Sequence, residues 1–200
     1  MTGVCRGAMP GNCPAARCFQ CAMDHDADRL TRFFAGGTDD EGRTLKEIAG
    51  WDDERLEMVH DYIQWLLPLP ERSGANPSAP VLDAESIAAV RGDAEMQGRL
   101  RAGFERMLSF YGFALEGDAL VEGPRFAASS RNWLHAGNHN HLRLTRILRS
   151  LRVLGLEREA SMLWDALRAL YERESAAGRR SIAAETFAFW KRAATSPIQY

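Results

Sequence analysis

Two stretches, Gly42–Ser73 and Asn138–Glu157, constrain the fold more than any others in the chain, because both are strongly periodic and the period is helical. In the first, Leu56, Val59, Ile63, Leu66 and Leu67 recur at the spacing of one helix face, widened by Met58, Tyr62 and Trp65. In the second, Leu144, Ile147, Leu148, Leu151 and Leu154 do the same. Elsewhere the strongest pattern is again helical, with Leu100, Phe104, Met107, Leu108 and Tyr111 in one run and Leu163, Leu167, Leu170 and Tyr171 in another. The expected class is therefore all-α: a single irregular or orthogonal bundle of about seven to eight helices. One exception stands near 113–121, where Phe113–Leu115 and Ala119–Val121 flank Glu116-Gly117-Asp118 and predict a small β-hairpin.

Helix punctuation fits this plan. Asp52 precedes the first stretch as an N-cap, with Asp53 and Glu54 in the dipole-favoured first turn. One continuous helix from Asp52 to Leu67 is predicted, stopped by Pro68 and Pro70. That helix puts His60 on its apolar face, as a buried, hydrogen-bonded histidine. Asp83 and Asp93 open further helices, Gly112 and Gly155 close two, and Asn138 caps the second stretch. Residues 71–82 read as a Pro- and Ser-rich surface loop.

A chain of 200 residues at 46% hydrophobic supports one core. The expected layout is a tail over 1–25, a helical domain over 26–195 and a short tail over 196–200. A formal charge of −2 exerts no global pull on nucleic acid or acidic membranes. No apolar run approaches the ~20 residues that span a bilayer, and the first 22 residues lack a secretion-signal core, so the cytoplasm is the expected compartment. Among 25 basic residues only Lys46 and Lys191 are lysine, a bias expected of a GC-rich, bacterial genome. All four cysteines lie within the first 21 residues. Cys18 and Cys21 with His25 have zinc-compatible spacing, but an extended or disordered tail without periodicity, or a start placed too early among Met1, Met9 and Met23, is the favoured reading.

Charge is segregated locally. Six arginines (Arg125, Arg131, Arg143, Arg146, Arg149, Arg152) and no carboxylate occur between Gly123 and Leu156, whereas nine acids face three bases between Asp39 and Asp61. The direct implication is mutual pairing of Asp52, Asp53, Glu57 and Asp61 with arginines such as Arg149 and Arg152. The alternative is an open stripe: Arg143, Arg146, Arg149 and Arg152 recur every third residue and line one oblique row. Such a row suits an anionic ligand or a nucleic-acid backbone. Trp65, Tyr111, Trp133, His139, His141, Arg143 and Arg146 are the candidate lining of a ligand groove, apolar walls with polar anchors. No glycine pattern marks a nucleophile elbow or phosphate loop. His139 and His141 with a distant carboxylate would make a metal-assisted hydrolase, a weaker alternative, and the residues as a whole point away from an enzyme. No cofactor is expected.

The wording at HDYIQWLLPLP, MLSFYGFAL (Met107–Leu115) and NHNHLRLTRILRSL with LGLE behind it resembles the opioid growth factor receptor family from about Leu30 through Glu157. Animal members of that family are described as receptors for an enkephalin-type growth-inhibiting peptide, associated with membranes and the nucleus. The resemblance implies a receptor-like binding module for a peptide, a small anionic ligand or a protein partner. The chain is similar to the family's shared domain standing nearly alone, and the resemblance carries over no binding residues.

Overall fold

The computed structural model describes residues 26 and 28–198. Cys18, Cys21 and His25 lie outside them. Helical residues 28–34 (α1) bury Leu30, Phe33 and Phe34 and end at Gly36, whose φ of 106° is left-handed. Next come α2 (Leu45–Ala49), opened by a reciprocal Thr44–Glu47 capping box, and α3 (Asp53–Met58), capped by Asp52 through the Arg55 N–H. Beyond these are α4 (Ile63–Leu66), α5 (Ala84–Gly92) and α6 (Ala94–Tyr111). The hairpin follows as β1 (Phe113–Glu116) and β2 (Ala119–Glu122), paired from Phe113↔Glu122 to Glu116↔Ala119. The chain completes with α7 (Phe126–Trp133), α8 (Asn140–Val153), α9 (Glu157–Ala176) and α10 (Ala184–Thr195).

The all-α architecture with one small antiparallel hairpin is thus as expected. Ten helical segments, rather than seven to eight, occur among the described residues, because short turns such as α2 and α4 form separate helices.

The predicted single helix over 52–67 does not form. Val59 is extended (φ −89°, ψ 133°), so α3 stops at Met58 and α4 begins only at Ile63. The hydrophobic spacing across the break is real, but it is satisfied by two short helices. His60 is consequently exposed, not buried on an apolar face.

The arginine helix α8 sits at the centre. Nine of its fourteen residues are buried, including Leu144, Ile147, Leu148 and Leu151. Each such fully buried aliphatic side chain stabilises the fold by about 1.5–3 kcal/mol. One side packs on α9 and α10, where Trp190 Nε1 donates to the His141 carbonyl at 2.9 Å. The other faces the 56–71 segment and α6. Gly112 ends α6 at φ 85° where a Cβ would meet the Phe126 backbone at 2.7 Å, so only glycine lets α7 approach this closely.

Candidate functional site

The break between α3 and α4 leaves backbone carbonyls without helical partners, and α8 supplies them. Arg143 Nη1 donates to the Leu56 carbonyl at 3.1 Å, and its Nη2 donates to the Val59 carbonyl at 3.1 Å. One turn on, Arg146 Nη1 donates to the Leu67 carbonyl at 3.2 Å, beyond the end of α4. Arg149 holds Glu71 with both Nε and Nη2, and Arg152 Nη1 donates to the carbonyls of Ala193 (3.0 Å) and Ser196 (2.8 Å). The row of arginines stitches loose chain ends onto one helix. Helix C-termini carry partial negative charge, which makes them suitable partners for cations.

The two charged segments do meet, through Glu57 with Arg143 and Asp53 with Arg125, but not through Arg149 or Arg152 as expected. Among the four acids expected to pair with the arginine helix, only Glu57 reaches it, 3.6 Å from Arg143. Asp52 caps α3, Asp53 binds Arg106 and Arg125, and Asp61 binds Arg43. Nor is the row an open stripe, since Arg143 is 6% exposed and lies 5.7 Å over the Tyr62 ring.

Around Arg143 runs a buried polar network. Asn140 Oδ1 accepts from Arg143 Nη1 at 3.2 Å and from the Tyr111 hydroxyl at 3.4 Å, while Asn140 Nδ2 donates to Glu57 at 3.0 Å. The second Glu57 oxygen lies 3.3 Å from His139 Nε2, and the His139 ring stands 5.5 Å from that of His60. Burial pushes the Tyr62 phenol up to about 12 and raises the Tyr111 phenol well above its ordinary value. Burial also lowers the His139 pKa; the Glu57 carboxylate opposes that shift and Arg143 adds to it.

Beside this network lies a cavity of about 470 Å³ between α4, the 69–75 loop and α8. Its charged lining consists of Arg72, Arg143, Arg146 and Arg149, with His60 and His139 at the margin and no carboxylate. Ile63, Leu69 and Leu142 supply apolar wall, and Leu142 is 68% exposed. Arg146 differs from its neighbours. Its Nη1 is used by Leu67, but its Nε and Nη2 make no hydrogen bond among the described residues, and no carboxylate lies within ion-pair distance. Burial depresses its pKa to about 10, with distant Glu71 offsetting only part of the effect. A half-buried guanidinium with an unoccupied edge is an anchor for an anion.

Of the seven candidate lining residues, His139, Arg143 and Arg146 border this cavity. Trp65 does not; it is buried against Phe33 at 5.4 Å and borders a neighbouring depression with Arg43 and Asp61. Tyr111 and Trp133 are fully buried, edge to face at 5.4 Å, and build the core beneath α8. His141 is buried between Trp133 and Trp190, with neither ring nitrogen hydrogen-bonded. It therefore faces away from His139, and the two do not converge as a metal-assisted pair. Among the described residues no group of three or more His, Cys, Asp or Glu is placed to hold a metal. Sequence reasoning missed Arg72 and Asn140. Asn140 lay one turn before Arg143, which is the only signal that pointed to it; Arg72 sits in a loop without periodicity.

Comparison with known proteins bears on this arrangement. The conserved-region profile of the opioid growth factor receptor (OGFr) matches residues 41–189, which include every residue lining the cavity. The opioid growth factor receptor of Rattus norvegicus is 42% identical over 122 residues, covering 58% of this chain and 21% of the relative. That of Homo sapiens is 38% identical over 152 residues, covering 71% and 22%. The opioid growth factor receptor-like protein 1 of Mus musculus is 37% identical over 126 residues, covering 58% and 26%. The chain thus spans about a fifth to a quarter of the length of these relatives. All three are animal proteins and lend the expected bacterial source no support. No solved structure matches the chain.

Proposed function

Because this chain belongs to the opioid growth factor receptor conserved-region family, we propose that it is a binding module whose ligand or partner places an anionic group in the cavity between α4, the 69–75 loop and α8. The relatives are named receptors, which supports a ligand or partner for this chain too. One observation carries the reading: the cavity is bordered by four arginines and two histidines without a carboxylate, and Arg146 keeps two donors unspent. Apolar wall with a few convergent polar groups is what ligand sites require. The anionic group belongs to a peptide, a small molecule or a protein partner.

Residues 26–195 form the module in this proposal, with 1–25 and 196–200 outside it. The cytoplasm is the proposed compartment; no helix among the described residues is long and apolar enough to cross a membrane. The arginine-for-lysine bias supports a bacterial source, as a proposal from composition alone. The nucleic-acid alternative loses its main support, because Arg143, Arg146 and Arg152 are directed at backbone carbonyls rather than arrayed outward.

The test is titration calorimetry of the full chain with citrate, inorganic phosphate and a tetraglutamate peptide. Saturable binding of at least one is expected. Arg72→Glu with Arg149→Glu, both at partly exposed ion pairs, should weaken it about tenfold or more with the fold intact by circular dichroism. Absence of all binding, or binding indifferent to these reversals, overturns the proposal.

A further inference from the structure

Resting on the anion-site reading above, we infer that the cavity is a site for a phosphate monoester carried on an aromatic or aliphatic group. Donor count and shape distinguish this from a carboxylate. A carboxylate is planar, has two oxygens, and is satisfied by one guanidinium edge. The free Nε–Nη2 edge of Arg146 would meet that need alone. The cavity offers more. Arg72, His60 and His139 stand around it, and it is also lined by Gly74 and Ala75, whose backbone N–H groups make no hydrogen bond among the described residues. A phosphate monoester has three free oxygens in a tetrahedral array and a charge near −2 at neutral pH, so it can engage several walls at once.

The charge balance agrees. Each of three arginines already has a carboxylate: Arg143 has Glu57 at 3.6 Å, Arg72 has Asp26 at 3.6 Å, and Arg149 has Glu71. Arg146 is the surplus cation, desolvated without a counter-ion in contact, which costs stability unless an anion joins it. At about 470 Å³ the cavity also exceeds what a bare phosphate fills. Ile63, Leu69 and Leu142 leave the remainder apolar, suited to the group esterified to the phosphate.

The experiment compares phenyl phosphate, benzoate and inorganic phosphate by calorimetry on the full chain at constant ionic strength. Phenyl phosphate is expected to bind at least tenfold tighter than benzoate and tighter than inorganic phosphate. Arg146→Lys keeps the charge but removes the two-donor edge, and should weaken phenyl phosphate about tenfold or more. His60→Ala changes an exposed ring without a hydrogen bond to the protein, so the fold should persist while affinity falls severalfold. Equal affinity for benzoate overturns the phosphate assignment and leaves the anion site standing. No binding of any of the three overturns the inference, and the anion site falls with it only when citrate and tetraglutamate also fail to bind. Tight phenyl phosphate binding that neither variant weakens places the anion elsewhere and also overturns the inference. If the inference holds, a phosphotyrosine peptide added to the series identifies the source. Affinity above that of phenyl phosphate assigns it to a protein side chain, and equal affinity assigns it to a small molecule.

Discussion

Arg143 and Arg146 lie one turn apart on the same helix, yet the protein uses them differently. Arg143 is 6% exposed and divides its donors among Leu56, Val59 and Asn140. Arg146 gives one nitrogen to Leu67 and keeps the rest free of hydrogen bonds among the described residues, in a side chain that lines a cavity. The first closes a break in the backbone; the second has capacity left for a ligand. Local charge count cannot separate such residues. What separates them is how many acceptors the opposing chain presents at each turn, and the α3–α4 break presents more than the end of α4.

The largest effect that would break this comparison comes from removing the first partner. Arg143→Met should destabilise the fold by about 3–5 kcal/mol, because the Val59 carbonyl loses its donor, the Leu56 carbonyl keeps only the Tyr62 hydroxyl, and Glu57 loses its counter-charge while partly buried. For a domain of this size that is a fall in Tm on the order of 10 °C, read by thermal denaturation. Arg146→Met should cost far less, since one backbone bond is lost and an unpaired buried charge is relieved. Equal losses in the two variants would show that the arginines have equivalent roles. Charge reversal at Arg143 is accordingly no test of ligand binding, because it would unfold the protein first.

The same asymmetry explains what could be read in the sequence. Long helices with uninterrupted period were legible: α6, α8, α9 and their apolar faces follow directly from Leu100 to Tyr111, Leu144 to Leu151, and Leu163 to Leu170. Glu116-Gly117-Asp118 marked the hairpin, whose turn residue Gly117 has φ 60°. The break at Val59 was not legible, because Leu56, Val59 and Ile63 keep helical spacing across it. The donor that makes the break tolerable is Arg143, 84 residues away from Val59. Missing that break placed His60 inside rather than at the cavity's margin. For the site, a local run of arginine without acid pointed to the right helix, but carbonyl acceptors leave no trace in composition. Aromatic residues misled for a familiar reason: Tyr111 and Trp133 are large, and burying them is worth more than exposing them in a groove.

A second, smaller effect sharpens the contrast between the two sides of α8, now through its histidines. His141, on the core side, has its pKa lowered, chiefly by burial and slightly by His135, with the Trp133 backbone acting in the opposite direction. His139, on the cavity side, is also lowered but sits beside Glu57 and is partly exposed. A histidine whose folded pKa lies below its unfolded value binds more protons unfolded than folded. Its contribution to stability is therefore present above the unfolded pKa, near 6.5, and is lost as pH falls toward the folded value. Denaturant unfolding should show stability declining below about pH 6.5, by no more than about 1.4 kcal/mol per pH unit for one proton. His141→Phe, which keeps a ring between Trp133 and Trp190, should flatten that decline more than His139→Gln does. An unchanged slope in His141→Phe would locate the acid sensitivity elsewhere.

The smallest effect concerns the third arginine of the row. Arg149 meets a carboxylate rather than a carbonyl, and its partner Glu71 is more than half exposed, with 55% of the side chain open. Two-point contact improves the geometry, but solvent screens the charges and both side chains lose rotamer freedom. Arg149→Ala should therefore shift stability by about 1 kcal/mol or less, within a few degrees in Tm. The shift should shrink further as salt is raised, since exposed charges are screened over about 8 Å at physiological ionic strength. A loss approaching that of Arg143→Met, or one indifferent to salt, would mean that Glu71 anchors the 69–75 loop as firmly as the carbonyls anchor the break. The cavity wall would then depend on an ion pair at its rim, and Arg149 would join Arg143 among the residues that hold the chain together rather than those that greet a ligand.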